Sequence, residues 1–147
     1  MTSAEQRKIG QELYRQWAAL WNGELFIAHR IIAEHFKAHL TADATAPVEP
    51  VHDARTVALW VAQVRARAVQ MRYRVELGPL IDGEYITAYW RVAGTLKAPA
   101  GLGPGFVKVG TDILRFRGGR LTECWTMSNA AAPDSASTIE QRRQEFA

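Results

Sequence analysis

Asp112 stands in the run Gly110-Thr-Asp-Ile-Leu-Arg-Phe116, where side-chain character alternates with period two. In a strand, that period sends Asp112, Leu114 and Phe116 to one face and Thr111, Ile113 and Arg115 to the other. An acid on an apolar face is costly to ionise, so its pKa rises and it can act as a neutral hydrogen-bond donor or a general acid. The alternative is a carboxylate near a strand edge, paired with an arginine and without chemistry.

The segment after Gly118-Gly119 alternates in the same way. It places Leu121, Glu123, Trp125, Met127 and Asn129 on one face and Thr122, Cys124, Thr126 and Ser128 on the other. Trp125, Met127 and Asn129 are then expected to line a hollow as an aromatic wall, a soft filler and a polar anchor. The plainer reading is a core tryptophan beside a strand-terminating asparagine. His29, His35 and His39 recur at about helical turns, but no His-Glu-x-x-His pattern accompanies them, and no metal is expected. His39 follows the helical pattern and is either a general base facing the hollow or a solvated histidine at a strand start. Tyr14, Trp17, Trp21, Trp60 and Trp90 make an aromatic interior, which is a core or the lining for a flat apolar ligand, with the Tyr14 hydroxyl turned inward. Cys124 has no basic neighbour to activate it, and a lone cysteine excludes an internal disulfide.

These residues need elements to carry them. Apolar positions Ile9, Leu13, Trp17, Leu20 and Trp21 predict a first helix over residues 4–21, ending at Asn22-Gly23. Leu25, Ala28, Ile31, Ile32 and Phe36 predict a second helix, followed by a brief strand at 39–41. Residues 42–51, with Pro47 and Pro50, read as a loop, and Asp53 as the N-cap of a third helix through Val57, Trp60, Val61, Val64 and Ala68. After Gln70 the period changes to two. Met71, Tyr73, Val75 and Leu77 should be buried, Ile81-Asp82-Gly83 should turn, and strands are expected at 84–96, 106–116 and 120–129. The Gly/Pro-rich segment 98–105 reads as a loop able to serve as a lid, and 138–146 as a short closing helix capped by Ser137. Helices first and an antiparallel meander afterwards define an α+β fold, its helices covering one face of a curved sheet around a pocket.

A chain of 147 residues, 48% hydrophobic and 22% charged, suits one globular domain, with a core over about 9–130 and a tail over 131–147. The net charge of +3 and pI near 9.3 come from basic residues scattered among acids, without the aromatic interleaving of a single-strand binder, so no nucleic-acid partner is expected. The N-terminal segment lacks a signal peptide's apolar core and no run approaches the length of a membrane span, so a cytoplasmic protein is expected.

The string from Gly110 to Trp125, together with Trp21-Asn22-Gly23-Glu24-Leu25, Tyr89-Trp90-Arg91 and Gly94-Thr95, resembles the nuclear transport factor two-like superfamily, and within it the SnoaL-like polyketide cyclase group. The resemblance runs from about Glu12 to Asn129 and implies a cone-shaped sheet under three N-terminal helices. In the related ketosteroid isomerases an Asp-x-x-Arg-Phe segment supplies a protonated acid to an oxyanion hole. Asp112-Ile-Leu-Arg115-Phe116 matches that segment, but the isomerase base falls near His39 or Leu40 and its tyrosine nearer Gln16 than Tyr14, which disfavours a steroid isomerase. SnoaL-like cyclases often carry an acid shortly after the terminal tryptophan. Asn129 stands there and cannot relay a proton, leaving Asp112 with His39. Arg91-Val92-Ala93 lacks the acid of the limonene epoxide hydrolase branch. The resemblance thus implies a cofactor-free cyclase or isomerase acting beside a carbonyl on an apolar substrate, or a non-catalytic binding domain. It also implies a homodimer formed through sheet faces, for which the face of Ile86, Ala88, Trp90 and Val92 is one candidate, either face of that strand being the one buried.

Overall fold

Helix α1 (Ser3–Trp21) begins at a capping box in which Thr2 Oγ1 accepts from the Glu5 amide at 3.1 Å and the Glu5 carboxylate accepts from the Thr2 amide at 2.8 Å. Its buried face is Leu13, Tyr14, Trp17, Leu20 and Trp21. Where the helix stops, the Asn22 side chain both donates to and accepts from the Tyr73 backbone, at 3.1 and 2.7 Å, and Arg65 donates to the Trp21 carbonyl. The Arg65 bond satisfies a carbonyl that the helix cannot pair internally, and the Asn22 bonds fix the helix C-terminus against the sheet.

The coordinates form a computed structural model that describes residues 1–41 and 46–131. A 3-10 turn (Leu25–Ile27) and one turn of helix, α2 (Ala28–Ile31), lead into β1 (Ile32–Leu40). α3 (Ala54–Arg65) starts on Asp53, whose carboxylate accepts from the Thr56 amide at 2.8 Å. The strands β2 (Ala68–Asp82), β3 (Tyr85–Ala98), β4 (Gly101–Arg117) and β5 (Arg120–Ala131) follow. Their order is β1-β5-β4-β3-β2. β1 runs parallel to β5 at one edge, and the other pairings are antiparallel. α1 and α3 cover one face of this α+β sheet and close a core that includes Trp17, Leu20, Val57, Val61, Ile86, Leu114 and Phe116.

Several sequence expectations change here. The second helix stops at Ile31, and His35 and Phe36 belong to β1. Ile32 and Phe36, both buried, are four apart, a spacing that puts two residues on one face of a strand as well as of a helix. The expected lid is strand: Ala98 pairs with Gly101, Lys97 with Leu102 and Thr95 with Gly105. Glycine there serves close approach, since a Cβ on Gly103 would lie 3.1 Å from the Leu96 carbonyl. A register shift between Val75 and Leu77 turns Leu77 outward, 62% exposed. Ile86, Ala88, Trp90 and Val92 face the helices and are buried, so they are not available to a partner; Thr87, Tyr89 and Arg91 take the outer face. The helix expected at 138–146 and residues 42–45 of the expected loop lie outside the described residues.

Candidate functional site

β3 and β4 pair without slippage from Tyr85–Arg115 to Thr95–Gly105, so alternation along β4 holds and Asp112 faces inward with Leu114 and above Ala88. Asp112 is 5% exposed. Its Oδ2 accepts from Trp17 Nε1 at 3.1 Å and from the Tyr14 hydroxyl at 3.3 Å, and its Oδ1 accepts from Thr126 Oγ1 at 3.0 Å. Its backbone carbonyl accepts from Thr87 Oγ1. Burial pushes the Asp112 pKa above the ordinary range, while the bonds from Trp17 and Thr126, the Trp90 indole and Tyr14 oppose that rise. An indole N–H only donates, so Oδ2 must accept in either protonation state. When Asp112 is protonated, the proton therefore belongs on Oδ1, beside a Thr126 hydroxyl that can turn from donor to acceptor. Among the described residues no arginine pairs with it: Arg115 faces outward and binds Glu84 at 2.7 Å.

The carboxyl lies in a cavity of about 80 Å³ lined by Tyr14, Trp17, Trp21, Trp60, Tyr73 and Trp90, with Lys108, Thr126 and Ser128 among its polar members. The rings support one another edge to face. Trp21 meets Trp60 at 4.7 Å between centroids, and Tyr73 meets Trp21 at 5.4 Å and Trp90 at 5.2 Å. Burial and the Asp112 charge hold the Tyr14 and Tyr73 phenols above their ordinary range. Trp90 rests on Gly110, where a Cβ would come within 2.3 Å of its ring. Its indole nitrogen is near enough to lower the Asp112 pKa but has no partner in hydrogen-bonding geometry among the described residues. Cys124 lies behind this wall with its thiol pushed up to about 12 by burial, which removes it as a nucleophile.

The sequence-predicted residues divide between the two faces. Tyr14, Trp17 and Asp112 meet in the cavity. Trp125, Met127 and Asn129 do not: they lie on the outer face, Met127 66% exposed. The cause is one extra residue. Phe116 pairs with Leu121 and Arg115 with Glu123, so Thr122 has no counterpart on β4 and every later side chain on β5 changes face. Thr126 and Ser128, which alternation alone turns away from the hollow, thereby enter it. His39 pairs with Trp125 across the parallel edge and goes outward with it. Its ring stacks on Trp125 at 4.9 Å, and its Nε2 lies 2.6 Å from the Glu123 carboxylate, which in turn approaches Arg115. His39 and Asp112 thus occupy opposite faces of the sheet, and the expected acid–base pair does not form. Lys108 was missed as well, although its even spacing from Asp112 places both on one face.

The fold is similar to that of solved structures described as SnoaL-like and as ketosteroid isomerase-like. Similar solved structures include a candidate polyketide cyclase from Acidithiobacillus ferrooxidans, at 21% identity and TM-score 0.63 over 98% of each chain. IdmH, a candidate polyketide cyclase from Streptomyces antibioticus, aligns at 21% identity and TM-score 0.67 over 82% of this chain and 91% of its own. A protein of ketosteroid isomerase-like fold from Catenulispora acidiphila, solved with trimethylamine, aligns at 19% identity and TM-score 0.64 over 79% and 84%. No family model and no curated protein matches the chain.

Proposed function

We propose that this protein is a cyclase or isomerase that acts by acid–base chemistry beside a carbonyl on a compact, apolar substrate. The observation that carries this reading is the buried Asp112 carboxyl facing an aromatic cavity whose lining, among the described residues, holds no second carboxylate and no histidine. One group must therefore both take and return the proton. Asp112 removes a proton from the carbon next to the carbonyl, holds it on Oδ1 beside Thr126, and returns it to another carbon in an isomerisation or to the new alkoxide after ring closure. A carboxylate whose pKa is raised by burial is a stronger base than a solvated one, which suits both halves of that cycle. The candidate cyclases of the same fold agree with this class of reaction.

The test is proton exchange. In D2O the wild-type protein should accelerate deuterium incorporation next to the carbonyl of a small bicyclic ketone such as 2-tetralone, and the Asp112→Asn variant should not. Equal rates in both proteins would overturn the assignment.

A second reading, a non-catalytic binder of small apolar ligands, is favoured by the modest volume of about 80 Å³ against the ~300–1,000 Å³ of usual ligand sites. It predicts binding of the ketone without exchange. For the outer face, where Leu77, Tyr89, Ile113 and Met127 are exposed, the partner we propose is a second copy of the chain.

A further inference from the structure

The charged groups of the cavity lie at two ends, with Ser128 between them opposite Gly110. At the inner end, Trp90 is 8% exposed and carries the one buried side-chain polar atom without a hydrogen-bond partner among the described residues. A buried donor left unpaired is unfavourable, and this one lines the cavity. Its ring cannot retreat, because the Gly110 backbone lies directly beneath it. The N–H is therefore held in place beside Asp112, where an acceptor oxygen would complete it.

At the outer end the charged side chain on the inner face is basic. Lys108 shares the inner face of β4 with Asp112 four residues away, roughly 13 Å along the strand. Arg74 borders the cavity from β2, but it pairs with Arg91 and its side chain goes to the outer face, largely in solvent. Among the described residues Asp112 is the only carboxylate in the lining. Aromatic rings stand between the two ends, so the walls suit a flat body.

We infer that the ligand is a compact planar oxo-acid, whose ring carbonyl oxygen accepts from Trp90 Nε1 beside Asp112 and whose carboxylate lies toward Lys108. The inference rests on the proposed reading of this cavity as the substrate site and adds to it a charge and a direction. Trp90 then positions the carbonyl, and Gly110 positions Trp90. A neutral ketone of the same shape satisfies only the inner end.

Calorimetric titration with three bicyclic probes tests this: chromone-2-carboxylate, its ethyl ester, and 2-naphthoate, which keeps the acid but lacks the ring carbonyl. Chromone-2-carboxylate should bind most tightly, with each of the others weaker by about tenfold. Lys108→Gln should bring the acid down to the level of the ester and leave the ester unchanged. Trp90→Phe, which keeps a ring and removes the N–H, should bring chromone-2-carboxylate down to the level of 2-naphthoate. Equal binding of acid and ester would overturn the anionic ligand and leave the apolar pocket standing. Equal binding of chromone-2-carboxylate and 2-naphthoate would overturn the role of Trp90. Binding of none of the three would remove both the inference and the reading beneath it.

Discussion

Trp17 Nε1 donates to Asp112 Oδ2 at 3.1 Å, a bond that ties the middle of α1 to the middle of β4. It joins the helical layer to the sheet through the residue proposed to react. The charge of Asp112 is thus a matter of stability as well as of chemistry.

The first prediction concerns stability against pH. The folded pKa of Asp112 lies above its unfolded value of about 3.9, so the folded state holds the proton more tightly, and stability falls as pH rises from that value through the folded one. Asp112→Asn keeps an acceptor for Trp17 and offers a donor to Thr126 without that loss. Relative to wild type, the variant should therefore gain stability between pH 4 and pH 8, as measured by urea denaturation at each. A difference independent of pH would contradict a buried, reluctantly ionised acid.

Thr126→Val removes the hydroxyl on Oδ1 while keeping side-chain volume. With one stabilising donor lost, the Asp112 pKa should move further up. A carboxyl-carbon NMR titration reads this directly, and an unchanged or lower midpoint would count against the hydrogen-bond assignment.

Gly110→Ala puts a methyl group within 2.3 Å of the Trp90 ring. Forced repacking of this kind typically costs ~1–3 kcal/mol. The ring should also be driven into the cavity, so a denaturation curve should shift and probe binding should weaken in the same variant.

His39→Ala should leave binding in the cavity unchanged, because the ring stacks on Trp125 on the other face. The Glu123 pair is about one-third exposed on the histidine side, so solvent screening limits the loss to about 1 kcal/mol or less. Lost probe affinity would return His39 to the site.

Light scattering should give twice the chain mass of 16.4 kDa, and Met127→Lys should give the single mass. A wild-type monomer would exclude the proposed second copy on the outer face.

How far the sequence could be read depends on where strand registers slip. β3 and β4 alternate without interruption around Ala88 and Asp112, so the inward direction of Asp112 follows from period two alone. Asp53 could be read as a cap because its bond to Thr56 is local. Trp125, Met127 and Asn129 could not be placed, because the extra residue at Thr122 is defined only by its pairing with β4. Leu77 failed for the same reason on β2. The run from Leu25 to Phe36 was misread because buried residues four apart suit a helix as well as an irregular edge strand whose partner, β5, lies more than eighty residues further along the chain.

The extra residue at Thr122 also sets how this cavity can change. Substituting one residue alters one point of the wall. Removing a single residue near Thr122 would exchange the whole β5 contribution, returning Trp125 and Met127 to the interior and sending Thr126 and Ser128 to solvent. Asp112 would lose its Thr126 donor, and the outer face would lose Met127. Length variation at the β4–β5 turn is therefore a one-step route between a polar-lined and an aromatic-lined cavity on an otherwise unchanged scaffold.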